Sequence, residues 1–179
     1  SCINASTLVD MQGFTKLPIT ETAKKVKIMS SGSTSITSSV RTRASGIYEV
    51  NIEMDGGLGA SVYDILKSDN VPLLHPITVG GKTTARDKSG ELKFANVRAA
   101  MWWNMRELLD PNGDNEVMLP DHPMLIGDLT APKWTITRDG VILIESKDSI
   151  RKRIGRSTDY GDSCCLGFYS PNTGGGIVF

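Results

Sequence analysis

An α/β layered domain is the fold class this sequence predicts, on three observations. Strand-like and helix-like stretches alternate along the chain. Leu92, Ala95, Ala99, Trp102, Met105 and Leu109 recur at helical spacing. Trp134–Ile144 places Asp139-Gly140 between two alternating runs, the strongest short-range hairpin signal a sequence carries. The 179 residues are enough for one domain with its own core and short for two, so 1–179 reads as a single domain.

The elements follow in order. Ser6–Val9 is a candidate short strand. Pro18 sits where a helix begins, and Ile19, Ala23, Val26 and Ile28-Met29 form an approximate helical stripe, which predicts a helix from Pro18 to Met29. Ser30–Gly46 turns to Ser, Thr and Gly and reads as a mobile surface loop, with Ile36–Thr42 a weak edge strand. Tyr48–Met54 alternates and is a strand. After its glycines a helix begins near Ala60 or Ser61 and turns Val62, Ile65 and Leu66 inward. Val71–Leu74 and Ile77–Val79 form a strand interrupted by His75-Pro76, and Thr83–Gly90 is a polar loop. Leu92–Leu109 is a helix that Asp110-Pro111-Asn112-Gly113 stops. Ser157–Tyr169 is a helix with Ser157 as its N-cap and Asp159 in its first turn. The tail 170–179, with Gly174-Gly175-Gly176, is expected to fray. There is no internal repeat.

Composition excludes several classes. Hydrophobic residues at 39% and charged residues at 22% rule out a solvated disordered chain. Twenty basic and twenty acidic residues cancel, so any attraction to a polyanion must be local. No apolar run approaches the ~20 residues that span a bilayer, so no membrane partner is expected. The first residues carry no signal-peptide pattern. Three Cys, two of them the neighbours Cys164 and Cys165, are not a disulfide framework and point to a reducing cytoplasm.

Three motifs are weaker than they look. Gly80-Gly81-Lys82-Thr83 is similar to a phosphate loop, but Pro76 stands where its first glycine belongs. His75 and His122 each precede a proline and share no metal-ligand spacing. Cys164 and Cys165 read as small core residues, since adjacent positions on a helix point apart.

The carboxylates carry more. Asp55 ends a strand before glycines. Asp159 and Asp162, three apart, share a helix face. Acidic residues gathered this way suit a hard cation such as Mg²⁺ or Mn²⁺, while the plainer reading makes Asp55 a turn residue and Asp159 a dipole partner. Lys147, Arg151, Lys152, Arg153 and Arg156 form a local basic run, which beside a metal site points to a phosphodiester backbone and otherwise is a solvated face. Lys82 is a further candidate phosphate contact.

Read together, these stretches resemble the nuclease domain of tailed-phage terminase large subunits. Glu145-Ser146-Lys147-Asp148 through Arg151-Lys152-Arg153, then Arg156-Ser157-Thr158-Asp159-Tyr160-Gly161-Asp162-Ser163, is similar to that domain's closing pattern ESKDDMRKR … RSPDxADA. Asp55-Gly56-Gly57-Leu58-Gly59 through Asp64 is similar to its strand–loop–helix. Val79-Gly80-Gly81-Lys82, Phe94-Ala95-Asn96-Val97-Arg98-Ala99 and Leu129–Trp134 follow in the family's order, from about Gln12 to Tyr169. The resemblance implies an RNase H-like three-layer fold, a mixed central sheet flanked by helices. It implies a metal-dependent endonuclease that cuts concatemeric phage DNA during genome packaging, with a two-metal Mg²⁺ or Mn²⁺ site polarising the phosphate and activating water. Carried over by position, Asp55 is the second catalytic carboxylate and Asp162 the third, with Asp159 beside it. Lys82, Lys147, Arg151, Lys152 and Arg153 are the DNA-binding residues. The implied partners are double-stranded DNA and the small subunit, ATPase domain and portal of a packaging motor, in the host cytoplasm.

The sequence departs from the pattern in two places, the Ser-rich stretch Ser30–Gly46, which is not the family's usual connection, and the first carboxylate. The family's first carboxylate lies on a strand that would precede residue 1, and Asp10 is its only stand-in, reading as a loop residue rather than a ligand. No Walker ATPase motif is present. A non-catalytic DNA-binding remnant, or another RNase H-like nuclease of resolvase or transposase type, are the alternative readings.

Overall fold

The computed structural model describes residues 22–31, 34–42, 48–71, 73–112, 117, 119 and 121–171. Ser6–Val9, Asp10 and the tail beyond 171 lie outside the described residues. Among the described residues, twelve elements follow the order β1 (Thr22–Ser31), β2 (Thr34–Thr42), β3 (Tyr48–Glu53), α1 (Leu58–Ser68), β4 (Leu74–Ile77), β5 (Lys93–Phe94), α2 (Val97–Leu108), α3 (Pro123–Thr130), β6 (Trp134–Ile136), β7 (Val141–Ile144), α4 (Lys147–Ile154) and α5 (Asp159–Gly167).

Two separate sheets form, where a single central sheet was expected. The larger runs β1–β2–β3–β4, antiparallel except for the parallel β3–β4 pair, and is therefore mixed. The smaller runs β5–β7–β6. Its hairpin turns at Asp139-Gly140, as the sequence predicts, with Gly140 at φ 69°.

The N-terminal expectations fail in an instructive way. The predicted Pro18–Met29 helix is replaced, over its described part, by β1, and the predicted loop Ser30–Gly46 holds the end of β1 and all of β2. Lys25-Val26-Lys27-Ile28 alternates with period two, and Val and Ile favour strands. Strand β2 pairs on both sides, so the weak edge strand seen in the sequence is an inner strand. Likewise, β4 runs straight through His75-Pro76, with Pro76 opposite Ile52. Proline is tolerated there because β4 is an edge.

Strand β3 separates two layers. Ile52 is fully buried toward α1, where Gly59 packs so closely that an added Cβ would lie 2.0 Å from the Glu53 carbonyl oxygen and 3.1 Å from Ile52 Cγ2. Asn51, on the opposite side of the pleat, donates from Nδ2 to the carbonyls of Leu166 and Tyr169, both at 2.8 Å. The Leu166 carbonyl, in the last turn of α5, also accepts the Tyr169 N–H at 3.3 Å. Helices α1 and α5 thus lie on opposite faces of β3. Helix α1 begins at Leu58, before the expected Ala60, and Ile65 is 60% exposed rather than inward.

The core gathers Ile77, Val79, Phe94, Met101, Trp102, Trp103, Leu125, Ile142 and Leu166 around α2. Helix α2 is shorter than Leu92–Leu109 suggests. Lys93–Phe94 pairs with β7 instead, Ala95 is exposed, and Asn96 caps the helix by accepting the Ala99 N–H at 2.9 Å. Its next free amides, on Val97 and Arg98, donate to the Gly81 and Val79 carbonyls at 2.9 and 2.8 Å. The glycine turn after β4 is therefore a helix anchor, and no helix follows Thr83 to make it a phosphate loop. Two helices, α3 and α4, have no counterpart among the predicted elements. Ser146 caps α4 by accepting the Ser149 N–H, and Gly155 closes it at φ 77°.

Packing generates two expectations. Gly59→Ala is expected to cost about 3 kcal/mol or more in urea unfolding, because the methyl collides with backbone rather than with a mobile side chain, while Ile65→Ala changes little. Trp102→Ala is expected to cost about 3–5 kcal/mol and Lys93→Ala close to nothing, Trp102 being 6% exposed and Lys93 on the surface. Equal melting temperatures for Trp102→Ala and Lys93→Ala would contradict the assigned core.

Candidate functional site

The site lies where the end of β3 meets α5. Asp162 sits within α5, 4% exposed, and a carboxylate so buried needs partners. Trp102 donates from Nε1 to Oδ1 at 3.0 Å, and Thr158 donates from Oγ1 to Oδ2 at 3.1 Å. Two cations complete the shell: Lys147 Nζ is 3.5 Å from Oδ2 and Arg98 Nε is 3.8 Å from Oδ1. The same ammonium donates to Glu53 Oε1 at 3.1 Å. One lysine thereby draws together carboxylates from the strand end and from the helix, far apart in sequence. Burial opposes the charge on Lys147, but the facing carboxylates of Asp162 and Glu53 outweigh it, and the amine titrates above its ordinary 10.5.

Arg98 is the second cation of the cluster. It is 8% exposed, stacks on the Trp102 ring at 5.6 Å, and donates from Nη1 to the Glu145 carbonyl at 2.6 Å. Among the described residues, its Nε and Nη2 have no hydrogen-bond acceptor.

Helix α5 is held at both ends by side chains from elsewhere. Ser157, the expected N-cap, instead donates to Asp159 Oδ1 at 2.6 Å, and Thr158, at the N-cap position, gives its hydroxyl to Asp162. The capping oxygen comes from α3. Asp128 Oδ2 accepts the N–H groups of Tyr160 at 3.0 Å and Gly161 at 3.2 Å, while Oδ1 pairs with Arg156. Asp128 is fully buried, and burial pushes its carboxyl up against the opposing pull of Arg156, Gly161 and Tyr160. Gly161 is required for this approach, since a Cβ there would lie 2.8 Å from Trp102 Cη2 and 2.9 Å from Asp128 Cβ. At the other end, Asn104 Nδ2 donates to the Phe168 carbonyl at 3.1 Å, beside the two bonds from Asn51.

The sequence-derived site residues fare differently. Asp162 is at the centre. Asp55 is exposed just beyond β3 and accepts the Gly80 N–H at 2.7 Å. Asp159 is engaged locally by Ser157. Asp10 lies outside the described residues. Lys82, Arg151 and Lys152 are exposed. Lys147 is part of the carboxylate cluster. Arg153 is tied to Glu145 through Nε at 3.2 Å and Nη2 at 2.5 Å, and to the Ala131 carbonyl at 2.6 Å. Cys164 and Cys165 are buried free thiols, and burial pushes Cys164 up to about 12, which removes it as a nucleophile. Glu53, Arg98 and Asp128 were missed. For Glu53 a signal existed: it shares the pleat side of Asn51 and alternates with Ile52.

An ammonium held between two carboxylates occupies the place a hard cation would take, and the oxygens of Glu53 and Asp162 fit such an ion. Among the described residues, no three His, Cys, Asp or Glu side chains gather as a metal cluster. No helix among them is long and apolar enough to cross a membrane.

The fold is similar to that of a solved terminase large-subunit nuclease domain. That domain belongs to the large terminase subunit gp2 of bacterial virus Sf6. A point variant of that domain, solved with manganese and beta-thujaplicinol, matches at TM-score 0.55 and 12% identity, over 80% of this chain and 86% of that one. The domain itself matches at 0.52 and 12% over the same shares. The variant with manganese matches at 0.50 and 13%, over 75% and 84%. No protein-family profile matches this chain, and no curated protein matches it.

The lysine bridge has a pH signature. Its folded pKa lies above the unfolded one, so its stabilisation is fully present below about pH 10.5 and is lost as pH rises through the folded value. The urea midpoint of Lys147→Met is expected to fall below the parent's at pH 7, with the gap closing above pH 10.5. A gap that does not change with pH would contradict the bridge. Asp128→Ala is expected to cost about 3–5 kcal/mol, because Arg156 and two helix amides lose their acceptor together. Asp128→Asn, which keeps one acceptor oxygen, is expected to lose less.

Proposed function

We propose that this chain is a Mg²⁺- or Mn²⁺-dependent DNA endonuclease, an RNase H-like three-layer nuclease domain that cuts concatemeric phage DNA during genome packaging. The observation that carries the reading is the Glu53–Lys147–Asp162 bridge, two carboxylates brought to one cation at a strand end, in a fold shared with a terminase nuclease domain. Glu53 and Asp162 would hold the metal, with Asp55 at the same strand end as the further carboxylate. Bound there, a pair of such ions supplies Lewis-acid polarisation of a phosphate and an activated water. The chain's own residues do the rest. Trp102 and Thr158 orient the Asp162 oxygens. Lys147 and Arg98 place positive charge beside them, where a phosphodiester gathers negative charge as it is cleaved. Lys82, Arg151 and Lys152 grip flanking phosphates of double-stranded DNA. Arg153 belongs to the Glu145 pair and is structural. The small subunit, ATPase domain and portal of a packaging motor are the proposed partners, in the host cytoplasm of a phage- or prophage-encoded protein.

A second reading, a non-catalytic DNA-binding remnant, is favoured by one observation. Lys147 and Arg98 already balance the charges of Glu53 and Asp162, and no third ligand converges on them among the described residues.

Nicking of supercoiled plasmid with Mn²⁺ separates the two. The parent is expected to nick, and Asp162→Asn, Glu53→Gln and Asp55→Asn to abolish nicking while still folded at the assay temperature, Asp162→Asn and Glu53→Gln with a lowered melting temperature because Lys147 loses a charged partner. A parent that binds duplex DNA but does not nick it would establish the remnant. Full nicking by Glu53→Gln would remove Glu53 from the site. For the phosphate contacts, Arg151→Ala and Lys152→Ala are each expected to lower the salt slope of duplex binding by about 0.9. Arg153→Ala is expected to change stability more than the slope.

A further inference from the structure

Arg98 is a cation of the carboxylate cluster with donors to spare. Its Nη1 is taken by the Glu145 carbonyl at 2.6 Å, while Nε and Nη2, shut off from water, have no acceptor among the described residues. Those two atoms share one edge of the planar guanidinium, the edge that grips a carboxylate with two parallel hydrogen bonds. Asp162 Oδ1 stands 3.8 Å from Nε, close enough for an ion pair and too far for a hydrogen bond. A buried donor without an acceptor is a cost that folds seldom leave standing. Here two of them stand on one guanidinium beside a carboxylate.

The two cations on Asp162 are held differently. Arg98 and Trp102 are four apart on α2 and share a helix face, with the guanidinium over the indole ring at 5.6 Å. Both serve Oδ1, Trp102 through Nε1 at 3.0 Å. The ring stack and the bond to the Glu145 carbonyl fix Arg98 independently of Asp162. On the other oxygen, Oδ2, stand Thr158 at 3.1 Å and Lys147 at 3.5 Å. The Lys147 side chain is 39% exposed, a point charge on a flexible stem. An ion held by Glu53 and Asp162 has to take the place of that ammonium. Oδ2 is therefore the oxygen that changes partner, and Oδ1 the one that stays with α2.

Without Lys147, the buried Asp162 carboxylate keeps one cation within reach, and an under-paired buried charge draws its remaining partner closer. We infer that Arg98 is the positioning residue of this site: its Nε–Nη2 edge closes onto Asp162 Oδ1 when Lys147 gives up Oδ2, so the carboxylate keeps its orientation while Oδ2 turns to an ion. The inference rests on the metal-dependent nuclease reading above. The closing movement is about 1 Å, from an ion pair to a hydrogen bond. Partners that orient a ligating side chain in this way commonly change metal affinity by about 10–100-fold. An oxyanion from solution is the poorer occupant for the same donors, since both are shut off from water and a carboxylate already stands beside them.

Crystal structures of the parent and of Lys147→Met, both without added metal, give the first test. In Lys147→Met, Arg98 Nε is expected within about 3 Å of Asp162 Oδ1. A guanidinium that serves only the Trp102 stack and the Glu145 carbonyl keeps the parent's distance, and that result overturns the proposal. This test needs no Arg98 variant to fold. Calorimetric titration with Mn²⁺ is the second. Arg98→Lys keeps the charge and loses the fork, and Arg98→Gln loses both; each folded variant is expected to bind Mn²⁺ about tenfold more weakly than the parent. A guanidinium acting only as a neighbouring charge gives a different pattern, with Arg98→Lys matching the parent and Arg98→Gln binding Mn²⁺ more tightly. Either result overturns the positioning role and leaves the nuclease reading intact. A parent that takes up no Mn²⁺ and nicks no plasmid overturns the nuclease reading and the positioning role with it, even where the fork closes in Lys147→Met.

Discussion

A single ammonium group joins the two parts of the chain that the rest of the structure exists to hold in place. Lys147 reaches Glu53 on β3 and Asp162 on α5. Neither carboxylate is well exposed, and an unpaired buried charge is among the costliest defects a fold can carry. With Lys147 and Arg98 on one side and Glu53 and Asp162 on the other, the cluster balances locally. The oxygens that satisfy the ammonium are also of the kind a hard metal ion prefers, so an ion bound there would have to take the place of Lys147. Stability and proposed chemistry therefore compete at the same atoms.

The bridge can form only if α5 keeps its position, and three elements hold it there. Asp128, from α3, takes the place of an ordinary N-cap. Asn51, from β3, and Asn104, from α2, take carbonyls at and just beyond the C-terminal end. These bonds use buried polar groups that would otherwise be liabilities, and they tie both ends of the helix and the residues just after it to the rest of the fold. Glycine at 161 allows the helix to approach Trp102 and Asp128 at a distance no side chain permits. A site carried on a helix clamped in this way is better pre-organised than one carried on a loop. The buried Cys164 and Cys165 contribute volume to this helix and no reactivity.

Much of the fold was legible wherever local pattern and tertiary environment agree. The Asp139-Gly140 hairpin, strand β3 and the existence of α2 and α5 follow from turn chemistry and periodicity. Boundaries were misread where a residue had two uses. Leu92 and Ala95 continue the apolar spacing of α2, but Phe94 pairs with β7 and Asn96 is a better cap, so the helix starts later. Pro18–Met29 carries an imperfect helical stripe and a period-two stretch at once, and pairing with β2 decides for the strand. Ile65 sits on the periodic face of α1, yet that helix touches the sheet through Gly59, which turns Ile65 to solvent.

The site divides along the same line. Sequence alone determined which residues are carboxylates at a strand end and on a helix face, and that a basic run follows the hairpin, because residue type and spacing are local properties. It could not determine which of those residues share a partner. Whether Glu53 or Asp55 meets Lys147, whether Arg153 faces solvent or Glu145, and whether α5 is capped by Ser157 or by Asp128 depend on how β3, α3 and α4 are brought around α5. Those contacts join residues distant in the chain, and burial, not sequence position, decides which charges must be paired and with what.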